Sequence, residues 1–268
     1  MPPVTPPRQP TVFNRCNLSP WAIGSQEFQD DPKPLEIEGV RATDRRLFAR
    51  LAEIKDPEER GQVFHDYLSV KFRLHEWAEH QATARSSLRH SYIMFLQSWG
   101  ADSNGHAGAV LKGWVESRFG LLATYHHGRL SDDPAASERY WNDRMRGAAK
   151  TMGVAMQLDL LYTFCQDELH RRQPGERWLT LYRGTHDPEE YAVRDATSAD
   201  TALVQLNNLS SFTADREVAW EFGSAVWAVR MPLEKIVFFS GLLPRHLLSG
   251  ESEYLVLGGE YRVSKLRY

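Results

Sequence analysis

The sequence predicts an α+β fold, and three observations carry that expectation. Over the first two thirds of the chain, apolar residues recur at helical spacing. After Pro174-Gly175 the text turns into short, alternating, β-rich runs such as Trp178-Leu179-Thr180-Leu181-Tyr182-Arg183. The two kinds of text are segregated along the chain, helices first and strands later.

The elements follow in order. Residues 1–43 are rich in proline and polar side chains and read as an extended arm or a series of turns, with Phe13 and Trp21 as anchors. Asp44 is the expected N-cap of a helix carrying Leu47, Leu51 and Ile54. A longer helix should start after Asp56-Pro57, with Val63, Tyr67, Val70, Leu74 and Trp77 on one face. Further helices are expected near 86–99, 107–124, 135–149 and 151–172, with Gly100–Gly105 as a turn between two of them. Strands are expected at 178–183, 207–213, 225–231, 235–239, 253–257 and 260–267, with a short helix over Asp215–Phe222. The chain thus divides into an arm (1–43), a mainly helical portion (44–175) and a strand-rich portion (176–268), and the last two can share one core.

The chain has 268 residues, a formal net charge of −3 and two cysteines. That charge gives no reason to expect nucleic-acid or acidic-membrane binding. Two cysteines are no disulfide framework in a chain of this size. The N-terminal text has no apolar core like that of a signal peptide, and no stretch has the length of a membrane span. A cytoplasmic protein without a membrane span is expected.

Several motifs can be set aside. In His75-Glu76-Trp77-Ala78-Glu79-His80 the histidines are five apart, whereas zinc-binding pairs on a helix are four apart. Gly100 and Gly105 have phosphate-loop spacing, but His106-Ala107 stands where lysine and a hydroxyl are needed. No Gly-x-Gly-x-x-Gly follows a strand. His126-His127 is an isolated pair, and no metal is expected.

Three segments of the strand-rich portion can carry chemistry. Glu251-Ser252-Glu253 sets two carboxylates on one side of a strand entrance, where they repel each other, ahead of the apolar Tyr254-Leu255-Val256-Leu257 and of Gly258-Gly259. Arg183 ends an apolar strand and can form a fixed fork for a pyrophosphate or carboxylate, with Gly184 and Thr185 beside it. Ser211 and Thr213 are alternate residues whose hydroxyls point the same way in a strand. Each segment also has a plain structural explanation: a solvated strand face, a surface arginine, or a cap for the following helix.

Their order resembles the Arg–Ser–Glu class of mono-ADP-ribosyltransferases. In that class an arginine closes the first core strand, a serine-rich segment follows, and a Glu-x-Glu lies on a turn-and-strand element. Arg183, Ser211 and the pair Glu251/Glu253 match, and Ala219 and Phe222 fall at the family spacing after Ser211. Ser210 is the competing alignment. Phe212 and Thr213 depart from the family's small residue and second serine. The segments Asn17–Trp21, Leu181–Asp187, Asn207–Thr213 and Tyr254–Tyr261 are further similar to the NAD–dinitrogen-reductase ADP-ribosyltransferases of nitrogen-fixing bacteria.

The resemblance implies an ADP-ribosyltransferase-like two-sheet β core and NAD as co-substrate. It implies Glu253, Glu251 and Ser211 as catalytic residues, and Arg183, Gly184, Thr185, Ser210 and Phe222 as the NAD-binding set. It implies an arginine of dinitrogenase reductase as acceptor and a PII signalling protein as regulator. An NAD glycohydrolase, a transferase with another protein target and a non-enzymatic NAD-binding module are the alternatives.

Overall fold

The computed structural model describes residues 14–74, 91–148, 152–185, 191–195, 198, 200–248 and 253–266. The arm is less extended than its composition suggests. Three short helices, α1 (Pro20–Gly24), α2 (Gln26–Asp30) and α3 (Val40–Thr43), follow one another there. Ser19 and Ser25 accept hydrogen bonds from the first turns of α1 and α2, which supplies the helix starts that proline-rich text hides. The anchors are Ile23 and Phe28, both buried, whereas Trp21 is 61% exposed. Phe13 lies outside the described residues.

Helix α4 (Arg45–Glu53) buries Leu47 and Leu51. Asp44 stands at its N-cap position but makes no capping bond. Its buried carboxylate instead accepts from Tyr67 Oη (2.6 Å) and pairs with Lys71. A buried charge is held better by an opposite charge than by a backbone amide. Helix α5 (Pro57–Lys71) starts as expected, with Asp56 accepting from the Glu59 amide at 2.8 Å. Its buried face differs from the expected one: Phe64 and Leu68 are fully buried, Val63 and Tyr67 flank them, and Val70 is exposed. The pattern misleads because Arg60 shares the buried stripe, paired there with Glu168. Burying Phe64 and Leu68 contributes about 1.5–3 kcal/mol each. Trp77 and the His75–His80 segment lie outside the described residues.

Among the described residues, helices α6 (Tyr92–Ala101), α7 (His106–Phe119), α8 (Pro134–Ala148) and α9 (Met152–Arg172) follow in the helical portion. Gly120, at φ 69°, caps α7 after Phe119, five residues short of the expected end at 124. Among the described residues no helix is long and apolar enough to cross a membrane.

The strands are β1 (Trp178–Thr185), β2 (Ala192–Asp195), β3 (Thr201–Thr213), β4 (Ala225–Pro232), β5 (Ile236–Phe239) and β6 (Glu253–Leu266), with α10 (Arg216–Glu221) between β3 and β4. The expected two-sheet core is hydrogen-bonded as one six-stranded antiparallel sheet in the order β2-β3-β1-β4-β6-β5, with a further β3–β6 pairing. That extra pairing closes a ring through β3, β6, β4 and β1. β6 runs unbroken where two strands were expected. At Gly258 the sheet carries a bulge, with Asn207 and Asn208 of β3 facing the single Gly258. A side chain at Gly258 would put its Cβ 1.9 Å from the Asn207 carbonyl oxygen, so only glycine lets the strand continue. Asn208 Nδ2 donates to the carbonyls of Lys112 (2.9 Å) and Leu121 (3.0 Å), and Asn207 Nδ2 to that of Tyr125 (2.9 Å). The fully buried Lys235 donates to Gly258 O at 2.8 Å, and burial pushes its amine down to about 7.

The helical and strand-rich portions share a core. One buried apolar cluster runs from Ile23 through Phe164 to Val263. Along α9, Gln166 Nε2 donates to the carbonyls of Leu233 and Ile236, and Tyr162 Oη to that of Glu234.

Candidate active site

Glu253 is the first residue of β6 and faces Thr213, the last residue of β3. Ser211 lies two residues earlier on β3, so both side chains project from the same side of the sheet. Ser211 Oγ donates to Glu253 Oε1 at 2.9 Å. Backbone and side chain of Ser240 hold Glu253 in turn: the Glu253 amide donates to Ser240 Oγ (2.9 Å) and the Ser240 amide to Glu253 O (2.8 Å). Burial pushes the Glu253 carboxyl up from its ordinary value, and the Ser211 bond opposes that rise by favouring the carboxylate.

Arg183 reaches the same place from β1. Its Nη1 donates to the Ser211 carbonyl (2.6 Å) and its Nε to Tyr191 Oη (2.7 Å). The guanidinium lies over the rings of Tyr191 and Phe212, 5.4 and 6.0 Å from their centroids. Tyr191 packs in turn edge-on against Trp227, the β4 partner of Arg183. The fork is therefore fixed before any ligand arrives.

An arginine, a serine and a glutamate thus meet on three adjoining strands. A family model described as dinitrogenase reductase ADP-ribosyltransferase matches residues 13–265. The NAD(+)–dinitrogen-reductase ADP-D-ribosyltransferase of Rhodospirillum rubrum is 41% identical over 256 residues, covering 93% of each chain. The chain belongs to the dinitrogenase reductase ADP-ribosyltransferase family. No solved structure matches. As a member of this family the chain is an NAD-dependent ADP-ribosyltransferase.

The other residues singled out in the transferase sequence fall in different places. The side of Gly184 that a Cβ would occupy is filled by helix α10, since that atom would lie 2.0 Å from the Ala219 carbonyl oxygen. The glycine therefore admits the protein's own backbone on that side. Thr185 ends β1 opposite Ala225. Phe222 follows α10 and is 64% exposed. Ser210 is buried, and its hydroxyl contacts the Asn207 carbonyl at 3.5 Å, so the pleat keeps it apart from Glu253. Glu251 lies outside the described residues.

Trp99 and Tyr191 went unnoticed in the sequence. Trp99 Nε1 donates to Ser211 Oγ at 2.8 Å across 112 residues of chain. Next to it, Gly100 also lies near the carboxylate: a Cβ there would be 3.7 Å from Glu253 Oε2, an ordinary contact. No local pattern announces such a contact. Tyr191, eight residues after Arg183, is an aromatic in polar text and offered a weak signal.

Elsewhere among the described residues, His126, His127 and Asp143 each offer a possible metal-ligand atom, all within 4.8 Å of one another. His126 Nε2 already lies 3.1 Å from Asp143 Oδ2, and the Lys112 ammonium is 3.4 Å from His126 Nδ1. Burial, reinforced by Lys112, pushes His126 down to about 4. A resident lysine cation opposes a second cation there.

Proposed function

We propose that this enzyme transfers ADP-ribose from NAD to an arginine side chain of dinitrogenase reductase, the nitrogenase iron protein, and thereby switches nitrogen fixation off. The observation that carries the reading is the Ser211–Glu253 hydrogen bond beside the pre-fixed Arg183. Nicotinamide leaves the anomeric carbon of the NAD ribose through an oxocarbenium-like transition state. A half-buried carboxylate held in advance stabilises positive charge where it develops. Glu253 takes that role, and Ser211 holds it ionised and in place. Arg183 grips the NAD phosphates as a planar, permanently charged donor. Thr185 and Phe222 complete the proposed NAD-binding set, and Ser210, buried with its hydroxyl on the Asn207 carbonyl, is left out of it.

The acceptor guanidinium is protonated and a poor nucleophile until a base orients it and takes a proton. Glu251 is assigned to that step. No step in this scheme calls for a metal. Control by a PII signalling protein, with a separate hydrolase for reversal, belongs to the same proposal and rests on the resemblance.

Incubation with labelled NAD and purified dinitrogenase reductase tests the reading. Mass spectrometry should find one ADP-ribose on an arginine of the reductase, and nitrogenase turnover should fall. Label on another residue type would overturn the arginine acceptor, and nicotinamide release without protein labelling would make the chain a glycohydrolase. In the NAD site, Arg183→Lys keeps charge but loses the fork. Calorimetry should show weaker NAD binding, by roughly tenfold, the scale of one charge-assisted hydrogen bond. An unchanged affinity would make Arg183 a structural residue.

A further inference from the structure

We infer that Trp99 is a positioning residue for the transferase reaction, its indole N–H fixing the Ser211 hydroxyl so that the hydroxyl's single proton is directed to Glu253. The inference rests on the proposed roles of Ser211 and Glu253 and adds a residue from the helical portion to them.

A serine hydroxyl has one proton, two lone pairs and a free rotor. Alone beside a carboxylate it samples several directions. Here Ser211 Oγ accepts from Trp99 Nε1 at 2.8 Å and donates to Glu253 Oε1 at 2.9 Å. With one lone pair engaged by the indole, the proton is left to the carboxylate. The two bonds also polarise each other, so the serine becomes a better donor than it would be alone.

The donor itself is well anchored. Trp99 is 4% exposed on α6. The N-terminal end of α6 is tied by the Tyr92 amide donating to Gln157 Oε1 (2.9 Å), and its middle by Gln97 Nε2 donating to Leu247 O (3.1 Å). The Lys112 ammonium lies 5.8 Å from the indole centroid, where it draws electron density from the ring and strengthens the N–H as a donor. Gly100, the next residue, lies beside the same carboxylate: a Cβ built on it would be in ordinary contact, 3.7 Å from Glu253 Oε2. A buried indole always seeks a partner, so a purely structural bond is the competing explanation. The two differ in what they do to kinetics.

The test compares wild type, Trp99→Phe, Ser211→Ala, the double variant, and the enzyme carrying benzothienylalanine at position 99, which replaces the N–H by sulfur at nearly constant shape. The readouts are nicotinamide release against pH, KM for NAD, and thermal melting. Trp99→Phe and the benzothienyl enzyme should both lose about threefold to tenfold in kcat, the scale of one neutral hydrogen bond. KM for NAD should stay unchanged, and the acid limb of the profile should move to higher pH, because a weakened Ser211 bond makes the carboxylate easier to protonate. In the Ser211→Ala background the Trp99 change should add nothing further.

A benzothienyl enzyme with wild-type kcat and acid limb would overturn the inference. So would a Trp99→Phe loss that persists in full without Ser211, since the indole would then act by packing. If Trp99→Phe does not fold, the benzothienyl enzyme decides alone. Ser211→Ala with undiminished activity would instead sink the underlying site assignment, whereas Ser211→Ala impaired beside an intact benzothienyl enzyme would remove only Trp99.

Discussion

Glu253→Gln is expected to depress both NAD hydrolysis and protein modification by roughly 10²-fold or more, the scale of losing one pre-organised electrostatic stabiliser. Glutamine keeps an oxygen that can accept the Ser211 hydroxyl now bonded to Oε1 at 2.9 Å. The local geometry should therefore survive and the charge alone be lost. NAD affinity should change little, because the carboxylate acts on charge that appears only as nicotinamide leaves. The pH profile adds a second readout. Burial holds the Glu253 carboxyl above the usual glutamate value. Activity needs the ionised form, so the acid limb of wild-type kcat should lie above the ordinary carboxylate range and vanish in the variant. Nicotinamide release followed by chromatography, with calorimetry for NAD, measures both. Near-normal release would remove Glu253 from the chemistry.

Glu251→Gln should behave differently. In the proposed mechanism Glu251 serves the incoming guanidinium and not the ribose. Transfer to the reductase should fall by about 10²–10⁴-fold, the usual reach of a general base, while NAD hydrolysis to water remains measurable. The two carboxylates are two residues apart, so removing one charge eases ionisation of the other. Comparing both variants over a range of pH separates that coupling from a true division of roles. Equal losses of hydrolysis from Glu251→Gln and Glu253→Gln at every pH would mean that the pair acts as one coupled unit.

Much of this arrangement could be read in advance, and the reasons are local. Arg183 and Ser211 lie on strands that were expected: β1 starts at Trp178 as read, and β3 ends at Thr213 as read but starts at Thr201, six residues earlier than expected. The strong helical text of α9 and the Asp56-Pro57 start of α5 were equally plain. What escaped depends on partners far away in sequence. Val70 looks like a core residue until Arg60 is seen to claim the buried stripe through Glu168. Asp44 looks like a cap until Lys71 and Tyr67 take its carboxylate. Trp99 has no signature at all, because its role is defined by a hydroxyl on another element. Gly258-Gly259 suggested the end of a strand, whereas the structure uses Gly258 to pass a bulge.

That bulge bears on a choice the amino-acid text leaves undecided. Ser210 and Ser211 are chemically identical neighbours, and only one can face Glu253. In a strand, sliding by a single residue exchanges the two faces. The extra residue at Asn207-Asn208 sets the count between the distal half of the β3–β6 ladder and the end that carries Ser211 and Glu253. Hydrogen bonds donated by the Asn207 and Asn208 side chains to the carbonyls of Lys112, Leu121 and Tyr125, and by Lys235 to that of Gly258, hold that count. None of these groups touches the reacting ribose in the proposed mechanism. They work like the zero mark on a ruler: they determine which of two neighbouring hydroxyls faces Glu253.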